Sequence, residues 1–363
     1  MLNRLVSLIG SKNNTTDNEI SFNRKRFRFS DWFAEKFIKA VAFLSIAVVI
    51  LIFIFVFREA FPIFKMDQTD QVSTEILVQE SYGGDESNGI SEVIQDNQID
   101  NANAQNTSTV KPSSTLLSKS WLPVSENPRY GLWPLFLGTL KVTLMALLFA
   151  APLSILAAVY TAMFAKPAIR EVIKPVIELL AGFPSVVIGF FAMMVLATFF
   201  QEIFRYSSRL NGFVGGIAMG LAAIPIIYTL TEDALSAVPK TYIEASLGLG
   251  ASRRQTAFNV VLPAAVPGIF AAVVLGIGRI FGETMIALMA TGNAAMVSIN
   301  PFDSVRTLSA TIGAEMAEVV FGDTHYSVLF LIGSLLFIFT FALNALAEFY
   351  FKNMVIRRYQ SKK

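Results

Sequence analysis

The chain has 363 residues, 54% of them hydrophobic and 15% charged, and a mean hydropathy of +0.56. Soluble domains carry roughly 25% charged residues. Several apolar runs here are long enough to span a bilayer, so the composition describes a polytopic membrane protein and excludes an ordinary soluble fold. There is no cysteine and a single histidine, His325, which excludes disulfides, iron–sulfur clusters, thiolate metal sites and His-pair zinc motifs. No G-x-x-x-x-G-K-[ST] occurs, so the chain lacks a Walker A loop and any ATP-driven work falls to a partner.

Residues 1–37 read as a basic cytoplasmic tail, with Arg24, Lys25, Arg26 and Arg28 clustered before the first apolar run. That run, Ile38–Phe57, starts too late for a signal peptide and lacks a small-residue cleavage site. It is assigned as the first transmembrane helix, with its basic flank inside. Residues 58–132 then form an extracytoplasmic insertion. Between Asp67 and Lys119 nine acidic residues stand against two lysines, and Gln, Asn, Ser and Thr replace Phe and Leu, the composition of a flexible segment. The apolar piece Ile76-Leu77-Val78 leaves room for a small hairpin within it.

Residues 133–350 read as a core of five further spans. The first of these is expected over about Trp133–Phe164, broken or bent near Pro152. Lys166, Arg170 and Lys174 follow on the inner side. The third helix is expected over Val176–Phe200, with Pro184 inside it, and a short outer turn carries Glu202, Arg205 and Arg209. The fourth, Gly212–Leu230, has Gly215, Gly216 and Gly220, as close helix packing in lipid favours. A fifth apolar run covers Ala264–Thr291, a sixth Val328–Phe349, and 351–363 form a basic tail. Six spans put both termini on one side, and the basic loops at 166–174 and 232–263 fall on that side too, the cytoplasm by the positive-inside rule. In the last outer loop, 292–326, Val305, Leu308, Ile312, Met316 and Val319 recur at helical spacing, with Arg306, Glu315 and Glu318 largely off that stripe. The pattern fits a helix at the outer surface, either a packed cap or a partner-docking face.

Two stretches carry chemistry. Pro239–Pro263 is a polar interruption between apolar runs. Pro239 suits a first helical position, and Lys240–Leu247 fits one short amphipathic helix that Gly248 and Gly250 break. Ser252 and Gln255 have capping-box spacing, and Pro263 marks a bend before the next span. Two helical pieces on a Gly-rich turn look like a docking element. In the fifth run, Arg279 and Glu283 stand i,i+4 on one helix face and can pair. Counted from Ala264 at about 1.5 Å per residue, Arg279 lies roughly 22 Å in and Glu283 about 6 Å beyond. That is past the midplane of a hydrocarbon core about 30 Å thick. A charge there costs on the order of 2.5–3.5 kcal/mol, so a transport pathway is the default reading and a structural ion pair the alternative. The planar arginine fork suits an oxyanion. Glu283 could hold that fork in place, and Gly276, Gly278 and Gly282 would admit a helix or a ligand at close range.

Glu244-Ala245-Ser246, three residues, Gly250, nine residues, Val260, one residue, Leu262-Pro263 resembles the EAA signature of ABC-importer permeases, departing from it at Ser246 and Val260. Trp121-Leu122-Pro123, Tyr130-Gly131, Pro134, Gly138-Thr139-Leu140, Glu178–Phe190 and Gly278–Gly292 are similar to the permease domain of phosphate transporters. Gly282-Glu283-Thr284-Met285 favours the PstC type over PstA. The resemblance covers roughly Trp121–Tyr350. It implies an all-α integral membrane protein of six transmembrane helices with the type I ABC importer permease (MetI-like) fold, within the binding-protein-dependent transport system inner-membrane component family. It implies import of inorganic phosphate by alternating access, in the bacterial inner membrane, with both termini cytoplasmic. The implied partners are a PstA-like permease, a PstB-like ATPase dimer that holds the ATP and Mg, a PstS-like phosphate-binding protein and membrane lipid, with no nucleic acid. No cofactor is implied on this chain. Glu244 and Gly250, with Ala245, Leu262 and Pro263, correspond to the coupling loop that docks on the ATPase, and Arg279 and Glu283 to an arginine and a glutamate implicated in transport. Permeation of another oxyanion (sulfate, molybdate, a phosphonate), or an ATPase-independent transporter or channel, are the alternatives.

Overall fold

The computed structural model describes residues 29–64, 115–125 and 127–360. The basic cluster at 24–28, the acidic segment with Ile76-Leu77-Val78, and Lys362 and Lys363 lie outside the described residues. Among the described residues six helices are long and apolar enough to cross a membrane. By internal contacts the chain divides into two units, Met1–Ile54 and Phe55–Lys363.

The first unit contains most of α1 (Phe29–Ala60). Phe37, Phe43, Leu44, Ile46, Leu51 and Ile54 stand exposed around it. A helix apolar on every side and covered by no protein is one that lipid covers. Glu35 and Lys39 pair at 2.5 Å near its start.

The second unit is a helical bundle with a β-hairpin at one end. The hairpin, β1 (Trp121–Leu122) against β2 (Arg129–Tyr130), is antiparallel and leads straight into α2 (Leu132–Met163). α2 runs through Pro152 without a break, because Pro costs a span little where neighbouring helices re-satisfy the freed backbone. α3 (Pro167–Ala181) follows, an amphipathic helix with no buried residue. The third span is then α4 (Ser185–Phe204), not Val176–Phe200. Gly182 ends α3, Pro184 is extended at ψ 137°, and the residue before a proline disfavours the helical region. Residues 176–181 therefore belong to the amphipathic helix. α4 contains a π-helical turn at Ala192–Leu196.

α5 (Gly212–Ser236) starts on an Asn211 side-chain cap to the Val214 amide and continues past Leu230 to Ser236. It lies parallel to α2. Cβ atoms added at Gly216 and Gly220 would stand 2.6 Å from Met145 Cβ and 3.0 Å from the Ala146 carbonyl. Glycine thus allows the contact on which the largest buried cluster forms, with Val142, Ala146, Ala150, Val214 and Ala218 at its centre.

α6 (Lys240–Gly248) and α7 (Arg253–Phe281) come next. Pro263 does not interrupt the helix. A π-helical turn at Thr256–Val261, with the Leu262 amide bonded to the Ala257 carbonyl, leads directly into the rest of α7. The fifth span thus starts at Arg253 rather than Ala264. It also stops short of Thr291: α7 ends at Phe281, Gly282–Thr284 are non-helical, and α8 (Met285–Ala290) resumes. α7 runs antiparallel to α5, with Gly268 against Ala234 and Gly276 against Ile227. That register brings Phe281 to about the level of Ala222, near the middle of α5. α8 carries the chain on until Thr291 meets Gly215.

The loop after α8 folds back over the hairpin end of the bundle. Its helix, α9 (Leu308–Glu315), is shorter than the stripe in 292–326 suggests. Leu308, Ile312, Met316 and Val319 pack with Ile63, Trp121, Tyr130, Leu135, Val328 and Leu329, so the stripe is a packed cap and not a docking face. α10 (Thr324–Gln360) closes the chain, its apolar part running Thr324–Phe349.

Candidate functional site

The helix break at 282–284 carries the membrane-embedded ion pair. Arg279 Nη1 lies 3.4 Å from Glu283 Oε2. The two do not share one helix. Arg279 is in the last turn of α7, and Glu283 sits in the break, its amide bonded to the Ile280 carbonyl at 3.1 Å. Their environments differ: the Arg279 side chain is 50% exposed and that of Glu283 5%. The three neighbouring glycines divide in the same way. Gly276 presses on Ile227, where a Cβ would come within 2.5 Å. A Cβ on Gly278 would meet nothing, and one on Gly282 only the Gly278 carbonyl at 3.7 Å. Arg279 therefore stands on an open face bordered by Gly278 and Gly282, about halfway along the bundle, with its counter-charge held from behind by the protein.

α6 and the turn after it form a second exposed feature, at the opposite end from the hairpin. Pro239 precedes the helix with ψ 133°, and Gly250 takes φ +86°, a conformation L side chains rarely adopt. A Cβ at Gly248 or Gly250 would meet nothing within 4 Å, so backbone angle and not crowding requires glycine at 250. Both halves of the Ser252–Gln255 capping box form, and Ser246 Oγ lies 3.0 Å from Thr256 Oγ1, tying α6 to α7. Glu244, Ala245 and Gly250 are exposed, and Leu249 is 90% exposed. Leu262 packs instead into a cluster with Tyr228, Leu235 and Val261, and Pro263 is exposed within α7. Glu244 and Ala245 on α6 and Gly250 in the turn after it thus form one exposed element, with Leu262 and Pro263 set apart in the following helix.

Three groupings escape a reading along the chain. Glu232, on α5 just before the turn into α6, is buried and holds two cations of α3: Lys174 Nζ at 2.7 Å from Oε2, and Arg170 Nη2 on Oε1. Ser236 Oγ donates to the same oxygen at 3.2 Å. The i,i+4 spacing of Arg170 and Lys174 is the sequence signal for a shared acceptor. At the hairpin end, Glu315 accepts from Trp121 Nε1 at 3.0 Å and Arg306 Nη1 at 2.6 Å, and its other oxygen lies 2.8 Å from His325 Nε2. Burial pushes this carboxyl up, but the His325 and Trp121 hydrogen bonds and the Arg306 charge outweigh it and leave Glu315 below its ordinary value. Nearby Tyr130 is pushed up to about 12 by burial, with the Asp323 charge adding to it. Third, α9 touches the helix break itself: Ser309 Oγ donates to the Glu283 carbonyl at 2.7 Å.

Six apolar spans, a spanning helix that ends beside a charged pair and an exposed short helix between spans describe a multi-pass membrane protein of the permease class. Residues 150–355 match the family described as binding-protein-dependent transport system inner membrane component, and the chain belongs to it. Its fold is all-α apart from the small hairpin, with six helices long and apolar enough to cross a membrane among the described residues. Among curated relatives, the probable ABC transporter permease protein YqgH of Bacillus subtilis is 36% identical over 232 residues, 64% of this chain and 75% of that one. The phosphate transport system permease protein PstC of Mesorhizobium japonicum is 33% identical over 255 residues, 65% of this chain and 77% of that one. Among solved structures, the inward-facing MetNI methionine ABC transporter has a TM-score of 0.47 at 19% identity, covering 61% of this chain and 94% of that one.

Proposed function

We propose that this permease subunit imports inorganic phosphate by alternating access, pairing with a PstA-like permease. In this reading a PstB-like ATPase dimer supplies the energy, holding the ATP and Mg, and a PstS-like protein delivers phosphate to the hairpin end. α6 then lies in the cytoplasm with both termini. Glu244, Ala245 and Gly250 meet the ATPase, and Leu262 and Pro263 seat the following helix. The observation that carries the reading is the half-exposed Arg279 guanidinium beside Gly278 and Gly282, backed by buried Glu283. A planar fork with free donors accepts a tetrahedral oxyanion through parallel hydrogen bonds. Glu283 keeps the arginine neutralised and oriented between passages, so an anion that binds must compete with a resident carboxylate and is released readily. ATP binding to the partner shifts the population between outward- and inward-open states. The PstC relatives support phosphate as the anion.

The test is uptake of labelled phosphate by the assembled complex in proteoliposomes, with sulfate, molybdate and a phosphonate as competitors. None of the three should compete, unlabelled phosphate should, and Arg279→Gln should abolish uptake with the complex intact. No phosphate uptake, with labelled sulfate or molybdate taken up instead, would move the assignment to that oxyanion. If Arg279→Gln instead prevented assembly, the pair would be structural. Uptake by this chain without an ATPase would overturn the importer reading.

A further inference from the structure

The break at 282–284 is held in place from the hairpin end. α9 lies against it through two small residues: buried Ser309 donates to the Glu283 carbonyl at 2.7 Å, and a Cβ on Gly313, itself at the exposed edge of the contact, would stand 2.3 Å from Thr284 Cγ2. Ser309, at 4% exposure, has no route to bulk water. The bond it makes is to the residue whose carboxylate backs Arg279.

α9 is fixed at both ends. At its start, Thr307 caps the Ala310 amide at 3.1 Å, the Leu308 amide donates to Thr139 Oγ1 of α2 at 2.9 Å, and the Arg306 carbonyl lies against Gly138, where a Cβ would come within 2.3 Å. At its end, Glu315 is gripped by Trp121 of the hairpin, by Arg306 and by His325 of α10. The break has no such framework. Thr284 sits at φ −103°, ψ −57° between two helices, and the Glu283 amide has only the short-range Ile280 carbonyl. When α9 and the break are forced apart, the break is the side that gives, because packed elements held at both ends do not deform continuously.

We propose that Ser309 and Gly313 are positioning residues that set the place of Glu283 in the anion path, with the Glu315 clamp holding α9 to that task. This rests on the reading of Arg279 and Glu283 as the anion path. An alanine at 313 pushes Thr284 away from α9 and takes the Glu283 backbone with it. The methyl that collides belongs to Thr284, so removing that methyl relieves the collision.

The experiment uses the assembled complex in proteoliposomes, with phosphate uptake normalised to complex and ATP hydrolysis measured in parallel. Gly313→Ala should lower uptake roughly tenfold, the scale of an overpacked contact, with the complex assembled and ATP hydrolysed. Thr284→Ser alone should transport nearly as wild type, and the Gly313→Ala/Thr284→Ser pair should recover most of the lost uptake. A general packing defect would lower assembly and would not be repaired at one methyl. Wild-type uptake by Gly313→Ala, or a loss that Thr284→Ser does not relieve, overturns the positioning role. Arg279→Gln run alongside separates the two claims. Its inactivity together with a wild-type Gly313→Ala overturns the positioning role alone. Wild-type uptake in Arg279→Gln overturns the anion-path reading and the positioning role with it.

Discussion

The clamp between α3 and α5 predicts an asymmetry that a symmetric view of ion pairs does not. Glu232 is 1% exposed, whereas Arg170 and Lys174 are 40% and 39% exposed. Replacing the carboxylate by an amide in Glu232→Gln leaves two cations that can turn to water, and Gln keeps one acceptor oxygen, which can serve Ser236 in place of Oε1. The expected cost is about 1 kcal/mol, that of a weakened hydrogen-bond set at partly solvated groups. Replacing both cations in Arg170→Met/Lys174→Met strands a carboxylate that has no access to solvent. That costs about 3–5 kcal/mol, as for a buried pair broken from one side. Adding Glu232→Gln to the cation pair removes the stranded charge, so the triple variant should be more stable than the double. Reversible unfolding of the purified chain in mixed micelles, titrated with SDS, measures all three against wild type. A gap of about 3 kcal/mol between single and double corresponds to more than a hundredfold in the unfolding constant. Equal losses in the single and the double, or a triple variant worse than the double, would refute the reasoning that burial of Glu232 governs the energetics.

Three further outcomes are expected. Gly138→Ala should destabilise the chain by about 1–3 kcal/mol in the same titration, because its Cβ would sit 2.3 Å from the Arg306 carbonyl, a backbone atom in a segment tied down on both sides. The clamp on Glu315 should be pH-dependent: its carboxyl lies below the ordinary value when folded, so its stabilisation is present above the unfolded pKa of about 4.3 and is lost as pH falls through the folded pKa. Trp121 fluorescence, with Trp32 and Trp133 replaced by Phe, should report loosening of the hairpin below roughly pH 4, and Glu315→Gln should remove that transition. Glu244→Lys should leave the protein inserted and the complex's ATP hydrolysis measurable but uncoupled from uptake. Normal uptake in that variant would exclude α6 as the docking element.

The elements most legible in the sequence are those fixed by local pattern. The spans follow from apolar length, and the capping box at Ser252–Gln255 from two residues at a set spacing. Two boundaries misled because a long apolar run does not announce an interruption. Val176–Ala181 continues the apolar composition of α4, yet Gly182 and Pro184 end the helix there. Ala264–Thr291 reads as one run, yet it is two helices, with only Gly282 to mark the break. The Arg279–Glu283 pair follows from its i,i+4 spacing, but the contacts that hold its surroundings were beyond local reading. Ser309 lies far along the chain from Glu283, and nothing around either residue encodes their hydrogen bond. Glu232 looked like the first residue of a polar loop because its partners are on α3, two helices earlier. Pairing across such separations is written in packing, which the linear pattern does not carry.

α7 joins the two ends of the candidate machinery without an interruption. From Arg253, beside the exposed turn, to Arg279 it is continuous helix, and its close contacts with α5 at Gly268–Ala234 and Gly276–Ile227 leave little room to slide. A rod so constrained can rock. With the Gly268 contact as fulcrum, the arm to Arg253 is about 22 Å and the arm to Arg279 about 16 Å at 1.5 Å per residue. A swing of about 4 Å at the outer arm then moves the guanidinium about 3 Å, roughly one hydrogen-bond length. The mechanical advantage is close to unity and slightly demultiplying. Under the proposed importer reading, a partner moving one end by several ångströms would shift the arginine by enough to make or break an anion contact, and by too little to pull it out of the bundle.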